Sequence, residues 1–76
     1  MSPRFPVATG KDVARIAQKV GFVFDRQKGS HAIYYRKKDG ARIVVPMHAH
    51  KTIKRRTLSG IIDDMGLTID EFRQLM

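Results

Sequence analysis

Apolar side chains recur at helical spacing in a segment that begins near residue 10. One face of this segment is formed by four residues at positions i, i+3, i+4 and i+7: Val13, Ile16, Ala17 and Val20. Thr9 is suited to cap the helix, and Asp12 supplies the acid of a capping box. Gly21 is suited to end it in the left-handed conformation, with Phe22 folding back onto the last turn. The pattern therefore predicts an amphipathic helix between Thr9 and Gly21.

A second helical pattern occupies the C-terminal part of the chain. Its apolar face has the same spacing and consists of Leu58, Ile61, Ile62 and Met65. Thr57 is the predicted N-cap, and Gly66 followed by Leu67 repeats the stop signal of a glycine and an apolar residue. Thr68 and Glu71 then form a full capping box for a last short helix. The apolar positions of that helix are Phe72, Leu75 and Met76.

Three short strands are predicted between the helical segments, over residues 22–25, 31–37 and 41–47. Residues 26–30 form the first connection. The dipeptide Asp39-Gly40 is typical of a two-residue hairpin turn, because both residue types tolerate positive φ. The predicted order is α-β-β-β-α-α. Because neither amphipathic helix is stable alone at this length, we expect an α+β fold with the helices on one face of a three-stranded antiparallel sheet.

A two-residue turn also sets the register between the second and third strands. Lys38 then faces Ala41, and the same register extended to its end places His31 opposite His48. One side of these strands is apolar apart from Arg36 and is the predicted core face. The opposite side is predicted to be exposed. Its large apolar and aromatic residues are Ile33, Tyr35 and Val44.

Two histidines that face each other on an exposed surface are candidates for proton transfer. Histidine has an unperturbed pKa of about 6.5, which suits acid–base catalysis near neutral pH. His31 is placed to take a proton from an RNA 2′-hydroxyl while cations hold the phosphate, a scheme that requires no metal. The alternative is that His31 is an ordinary polar surface residue. His48 and His50 are spaced for a metal site, but two histidines without a third ligand are a weak signal.

Length and composition narrow the class of protein. The chain has 76 residues, enough for one small domain, and no Cys, which rules out disulfides and a Cys nucleophile. The absence of Cys fits a reducing cytoplasm, where we expect the protein to act. No apolar run approaches the ~18 residues of a membrane span, and we expect no signal peptide and no membrane association. The expected organisation is a flexible lead over residues 1–8 and a single domain over residues 9–76.

The charge is strongly basic and unevenly distributed. The net charge is +8, but residues 1–62 hold fourteen basic and three acidic residues, a balance of +11. Residues 63–76 have a balance of −3. A basic surface of this density favours a polyanionic partner, most often nucleic acid.

Two basic segments are the predicted phosphate contacts. In the first, Lys28, Gly29 and Ser30 offer a cation, a flexible backbone and a hydroxyl directly before His31. The second leads into a predicted helix N-terminus, which is itself a site for anions. The basic residues of this second segment are Lys51, Lys54, Arg55 and Arg56. The alternatives are an ordinary hairpin turn and a solvated basic loop.

A set of short motifs follows in order over about residues 10 to 75. They are Gly21-Phe22, Lys28-Gly29-Ser30-His31, Tyr34, Val45-Pro46-Met47-His48, Thr57-Leu58, Ile61-Ile62, Met65-Gly66-Leu67-Thr68 and Glu71-Phe72. At these spacings the set resembles the HicA toxins, small mRNA-cleaving endoribonucleases of prokaryotic toxin–antitoxin systems. The resemblance implies a fold similar to a double-stranded RNA-binding domain and RNA cleavage without a metal or other cofactor. It also implies a catalytic residue at His31.

The same resemblance extends to the neighbouring residues and to the partners. Gly29 and Ser30 correspond to the loop that positions His31, whereas the role of His48, in the Pro-x-His element, is inferred from the register. The implied partners are an mRNA substrate and a HicB-type antitoxin protein, and we expect no contact with DNA.

Three functions stay open at this point. The first is an endoribonuclease toxin, and the second is a non-catalytic RNA-binding module of the same fold. The charge serves both equally, while the histidine pair favours the first. The third is an interaction domain whose exposed Ile33, Tyr35 and Val44 bind only protein. The sequence indicates neither the RNA sequence that is cut, nor dependence on ribosomes, nor the oligomeric state.

Overall fold

Three helices and a three-stranded antiparallel sheet form the fold in the computed structural model, which describes residues 5–76. The elements are α1 (Gly10–Lys19), β1 (Val23–Lys28), β2 (His31–Arg36), β3 (Ala41–Pro46), α2 (Arg55–Asp64) and α3 (Ile69–Leu75). The strands are ordered β1-β2-β3. The predicted α+β class and element order are confirmed, and the arrangement is consistent with a double-stranded RNA-binding-domain-like fold. None of the helices in this part of the chain is long and apolar enough to cross a membrane.

The hydrophobic core lies between the helices and one face of the sheet. The strands contribute Ala32, Tyr34, Ile43 and Val45. The helices contribute Val13, Ile16, Ala17, Leu58, Ile61, Ile62 and Phe72, and Met65 joins them at the end of α2. Full burial of a large apolar side chain stabilises the fold by about 1.5–3 kcal/mol, so these faces hold the two layers together. The predicted apolar faces of α1 and α2 and the predicted core face of the sheet are therefore confirmed. In α3, Phe72 is buried and Leu75 packs against the core as predicted, but the prediction for Met76 is wrong, because this residue lies beyond the helix at its C-cap and is 46% exposed.

Two of the three helices begin with the predicted capping boxes. The Thr9 hydroxyl accepts from the Asp12 N–H at 3.2 Å, and the Asp12 carboxylate accepts from the Thr9 N–H at 3.0 Å. Thr68 and Glu71 repeat this exchange at 3.1 and 2.8 Å. Each capping box needs only two suitable residues three positions apart, so these helix starts can be located from the sequence alone.

The start of α2 differs from the prediction. Thr57 was expected to be the N-cap, but the helix begins at Arg55 with Lys54 as its N-cap. The Leu58 N–H donates to the Lys54 carbonyl at 2.9 Å, so Thr57 lies inside the first helical turn and not before it. The upstream Ile53 N–H is bound to the Ala8 carbonyl at 2.8 Å, so the approach to α2 is held by a contact distant in sequence.

The first hairpin is tighter than predicted. β1 extends to Lys28, with a bulge at Asp25, so the connection is reduced from residues 26–30 to Gly29 and Ser30. Gly29 has a φ of +59°, as a two-residue turn with glycine first requires. Phe22, predicted as the first strand residue, instead lies before β1 and is buried beside the end of α1.

The second hairpin has a register different from the predicted one. Arg36, not Lys38, pairs with Ala41, and a four-residue loop replaces the two-residue turn. At the other end of the ladder, His31 pairs with Pro46, so the predicted cross-strand pair of His31 and His48 is wrong. The register differs by two residues, and an even shift leaves every side chain on its predicted face.

The prediction that one face of this hairpin is exposed is correct for two of its three large apolar or aromatic residues. Tyr35 and Val44 are exposed as predicted, at 38% and 46%. Ile33, in the central strand, is only 8% exposed. Ile33 has a paired neighbour on each side, Arg26 on β1 and Val44 on β3, whereas a residue of an edge strand has a neighbour on one side only.

Arg36 explains both the four-residue loop and the presence of a cation on the core face. Its guanidinium donates to both Asp39 carboxylate oxygens, at 3.0 and 2.8 Å. It also donates to the carbonyls of Val20 at 3.0 Å and Met65 at 3.1 Å, which are the C-cap residues of α1 and α2. Its Cζ atom lies 4.5 Å from the centre of the Phe22 ring. One side chain therefore joins a hairpin loop to two helix ends.

The N-terminal lead is described from residue 5 onward. The flexible lead predicted for residues 1–8 lies outside the described residues over positions 1–4. In the described part, Pro6 and Ala8 are buried and Phe5 packs against the core. Thr9 and Thr52 form an isolated antiparallel bridge. This segment is therefore attached to the chain that leads into α2.

Candidate functional site

A cleft of about 420 Å³ lies at the end of the sheet where β2 begins and β3 ends. Both predicted catalytic histidines, His31 and His48, line it. The remaining lining residues are Pro46, Lys51, Thr52, Ile53, Lys54 and Thr57. The two imidazoles thus share one cleft, although they are not paired across the strands.

His31 is placed by the turn that precedes it. It is the first residue of β2, it is exposed, and its neighbours in the sheet are Lys28 on β1 and Pro46 on β3. A Cβ atom at Gly29 would meet no described atom within 4 Å, so this glycine is required for its positive φ and not for close packing. The turn therefore brings Lys28 beside His31 in a fixed register.

His48 is placed by a short loop that is tied to the sheet. The Met47 N–H donates to the Ser30 carbonyl at 2.6 Å, which extends the ladder one step beyond His31. The Lys51 N–H donates to the His48 carbonyl at 3.1 Å, and His50 adopts a φ of 60°. These residues form a turn. The metal-site interpretation requires His48 and His50 to lie on the same side of a strand, and they do not.

The N-terminus of α2 forms another wall of the cleft, through Lys54 and Thr57. Within the described residues Lys54 makes no side-chain capping hydrogen bond, and the first turn of α2 contains no acidic residue. The other two helices have an acidic residue in the first turn and a complete capping box. Cations at a helix N-terminus oppose the helix dipole and reduce stability, unless an anion binds there. This local conflict between sequence and structure is typical of a functional site.

The predicted RNA-binding residues divide between two places. Lys51 and Lys54 line the cleft with the histidines. Arg55 and Arg56 line a separate cavity of about 600 Å³, together with Phe5, Ser59 and Ile69. The Arg55 guanidinium carbon lies 4.8 Å from the centre of the Phe5 ring, so this cation is directed away from the histidines.

Two features of the site were missed by sequence reasoning. Thr57, interpreted as a helix cap, is a lining residue of the cleft. Gly10 is buried in the first turn of α1, and a Cβ atom there would overlap the Pro46 carbonyl oxygen and lie 2.9 Å from Met47 Sδ. The only signal for Gly10 was a glycine directly after a helix cap, and that signal does not reveal a contact with a strand 36 residues away.

The polar side chains that line the cleft beside the histidines are the ammonium groups of two lysines and the hydroxyls of two threonines. Among the described residues that line the cleft, none carries a carboxylate. Within residues 5–76, no group of three or more His, Cys, Asp or Glu side chains is arranged to hold a metal ion. The chemistry that this lining can supply is proton transfer by imidazole and binding of an anion by ammonium groups and backbone N–H groups.

Comparison with family models gives a match over residues 10–67, to the HicA toxin of bacterial toxin–antitoxin systems. The matched range runs from the start of α1 to the residue after the glycine that ends α2. It includes every lining residue of the cleft and excludes Phe5, Ile69 and α3. Comparison with curated proteins gives no match.

Proposed function

We propose that this chain, which belongs to the HicA toxin family of bacterial toxin–antitoxin systems, cleaves mRNA as a metal-independent endoribonuclease with His31 as its general base. The family match confirms the resemblance carried by the sequence motifs, and it makes the chain the toxin component of such a system. The observation that carries the proposed activity is the cleft in which His31 and His48 lie with Lys51, Lys54 and the uncapped start of α2.

The proposed reaction is an in-line transesterification. Neutral His31 takes the proton from the ribose 2′-hydroxyl, and the 2′-oxygen attacks the adjacent phosphorus. The bond from phosphorus to the 5′-oxygen of the next nucleotide breaks, and His48 in its protonated form donates a proton to that oxygen. The products are a 2′,3′-cyclic phosphate and a 5′-hydroxyl, and the two histidines exchange protonation states.

The cations and the helix N-terminus serve the transition state in this scheme. Lys51 and Lys54 lie where they would hold the non-bridging phosphate oxygens, and Gly29 and Ser30 fix the start of the strand that carries His31. Preorganised donors directed at developing negative charge are commonly the largest contribution to catalysis. The cytoplasm, where mRNA is translated, is the proposed site of action.

The proposed protein partner is a HicB-type antitoxin. A toxin–antitoxin toxin requires an antitoxin that suppresses it, and the family match supports such a partner. The simplest inhibition is for the antitoxin to cover the cleft and exclude RNA. The alternative function, an RNA-binding module without catalysis, is supported by the charge but leaves the histidine pair without a role.

Replacing His31 by Ala should abolish cleavage while leaving the fold and RNA binding nearly intact. A positioned general base contributes about 10² to 10⁴ in rate. His31 is exposed at a strand start, where substitutions change stability by about 0.5 kcal/mol or less. The measurement is the cleavage rate of a defined RNA in EDTA, with the RNA dissociation constant and thermal unfolding determined in parallel.

The matched control is His50→Asn, because His50 lies on the neighbouring turn outside the cleft and Asn tolerates its positive φ. This variant should cleave at the wild-type rate. An RNA with one 2′-deoxy substitution at the cut site should resist cleavage. Wild-type rates in the His31→Ala variant, or cleavage of the 2′-deoxy RNA, would contradict the mechanism, and binding without any cleavage by the wild-type protein would favour the binding module.

A further inference from the structure

The face of the sheet that points away from the helices has a regular composition. We define the open face as the paired strand positions on this side: Val23, Arg26, Lys28, His31, Ile33, Tyr35, Arg42, Val44 and Pro46. Cross-strand partners lie on the same side of a sheet, and Tyr34 and Ile43 of the adjacent row are in the core, so these positions face the other way. The open face therefore has three rows, each with one residue from each strand.

Apolar and aromatic groups of the open face are accessible in the two rows that follow the row of His31 along β2. Val23 is 50% exposed, and Tyr35 and Val44 are both more than one-third exposed. Ile33 is only 8% exposed, although it is not part of the core cluster. The open face therefore offers an aromatic ring and aliphatic side chains that a ligand can contact.

Each row of the open face also carries one cation. Lys28 is beside His31, Arg26 is beside Ile33, and Arg42 is beside Tyr35. None of the paired positions on this face is acidic. The ion pairs found within residues 5–76 involve Arg15, Arg36 and Arg73 and leave the three open-face cations to solvent. This combination of charge and aromatic surface is complementary to a polyanion that has flat apolar groups.

The open face continues directly into the cleft. His31 belongs to both, since it is the end of the open face on β2 and a lining residue of the cleft. Residues of one face repeat every two positions, about 6.6–6.8 Å along a strand. Tyr35 therefore lies about 13 Å from His31 along β2, a distance that a short single-stranded segment can span.

We propose that the open face is a binding track for single-stranded RNA on one side of the scissile bond, with a base stacked on Tyr35 and phosphates held by Arg26 and Arg42. This inference rests on the proposed function and adds the binding mode of the substrate. Stacking requires bases that are not paired, because aromatic side chains on a sheet reach only splayed or single-stranded bases. The cations favour RNA as occupant over an apolar protein surface, for which three uncompensated charges would be a cost.

Amide chemical shifts of the His31→Ala protein, titrated with a single-stranded RNA of defined sequence, test the track without cleavage. The expected result is a shift of open-face amides on all three strands, Tyr35 and Arg42 included, together with cleft amides of residues 48–57. The same RNA in a perfect duplex should leave the open face unshifted. Shifts confined to the cleft and α1, with an unaffected sheet, would overturn the proposal and leave the open face for a protein partner.

Variants separate this inference from the proposed function. Stacking of a base on an aromatic ring accounts for roughly a fivefold to hundredfold change in affinity, so Tyr35→Ala should weaken single-stranded RNA binding by that factor. Tyr35→Phe keeps the ring and should bind like the wild type. Arg42→Gln should weaken binding more than Lys38→Gln, an equal charge change in the hairpin loop outside the open face.

The cleavage assay gives two distinguishable failures. If RNA is cut in a His31-dependent way and Tyr35→Ala changes neither affinity nor kcat/KM, the track is wrong and the nuclease stands. If the wild-type protein cuts no RNA but shows the expected open-face shifts and the loss of affinity in Tyr35→Ala, the track stands and the nuclease fails.

Discussion

At the scale of single residues, Gly10 controls how closely α1 approaches the end of β3. The absence of a side chain lets Pro46 and Met47 pack directly on the first turn of α1. His48 follows these two residues, so the position of the second histidine depends on this contact. A glycine outside the cleft thereby takes part in building it.

Gly10→Ala should destabilise the protein by about 1–3 kcal/mol, because a Cβ atom overlaps backbone atoms that cannot move aside as a flexible side chain would. The matched control is Gly60→Ala within α2. No described atom lies within 4 Å of a Cβ there, so better helix propensity should stabilise by about 0.4–1 kcal/mol. Denaturant unfolding of both variants checks the signs. A neutral or stabilising Gly10→Ala would show that β3 can move without cost.

His48→Ala should reduce cleavage partially, by less than His31→Ala. A general acid assists only the departure of the leaving oxygen, whereas the base generates the nucleophile. The check is the cleavage rate on two substrates, ordinary RNA and RNA with a 5′-thio leaving group at the cut site, which departs without protonation. The deficit of His48→Ala should disappear on the thio substrate. An equal deficit on both would assign His48 to binding or positioning instead of proton donation.

At the scale of secondary-structure elements, the ends of the helices are stabilised in different ways. α1 and α3 begin with side-chain capping boxes, whereas the start of α2 is left without one. The C-terminal ends of α1 and α2 share the guanidinium of Arg36, which is itself held by Asp39 in the second hairpin. The hairpin loop, the sheet and two helices are therefore linked through one ion pair.

This linkage predicts a loss of stability in acid. The Arg36 guanidinium beside Asp39 lowers the pKa of that carboxyl to about 2, with help from the Ala41 N–H. Because the pKa is lower in the folded protein than its usual value of 3.8, the stabilisation is complete above about pH 4 and is lost as the pH falls toward 2. The pKa of Asp12 is also lowered, mainly by the Thr9 N–H, and contributes with the same sign.

Asp39→Asn should therefore flatten the fall in stability between about pH 4 and pH 2, and lower stability at neutral pH. Unfolding measured across this pH range is the check. Asp64→Asn makes the same change of charge in the last turn of α2, at a carboxylate that takes part in none of the ion pairs found within residues 5–76, and should retain the wild-type pH dependence. If the stability of Asp39→Asn falls as steeply with decreasing pH as that of the wild type, the ion pair is not the source of the acid sensitivity.

At the scale of the whole molecule, the positive charge surrounds the site from several elements. Lys28 comes from β1, Lys51 from the loop after β3 and Lys54 from the start of α2, while the acidic residues of the last part of the chain lie on α2 and α3. Strands and helices remote in sequence thus combine into one basic region. A basic region of this kind is complementary to the phosphates of a polyanion, and phosphate contacts carry no information on base sequence.

RNA affinity should accordingly fall with salt, with each phosphate contact on a single strand contributing about −0.7 to the slope of log K against log salt. Lys54→Gln should reduce the magnitude of the slope by about 0.7, because it removes one of the cations that line the cleft and are proposed to bind phosphate. Arg73→Gln on α3, whose side chain is paired with Asp70, should leave the slope unchanged. Affinity that does not change between about 50 and about 200 mM salt would exclude this electrostatic mode of binding.

The features that depend only on neighbouring residues could be predicted from the sequence. Both capping boxes, the glycine stops at Gly21 and Gly66, and the apolar faces of α1 and α2 occupy their predicted places. Each is defined by φ and ψ preferences or side-chain hydrogen bonds within three to seven residues, so no distant partner can change it. The two faces of the sheet were also predictable, because a period of two survives an even shift in register.

The register of the second hairpin, the start of α2 and the set of residues that line the cleft depend on contacts between residues distant in sequence. Arg36 pairs with Ala41 in a register in which its guanidinium is hydrogen-bonded to Asp39 and to the last carbonyls of two helices. The Asp39-Gly40 dipeptide carries no information on these hydrogen bonds. α2 begins at Arg55, after a segment in which the Ile53 N–H is bound to the carbonyl of Ala8, a contact distant in sequence. Basic residues that are adjacent in sequence reach different cavities, since successive positions of a helix point about 100° apart. His31 and His48 therefore meet through the packing of a loop against the sheet, and not through the strand pairing that the sequence favours.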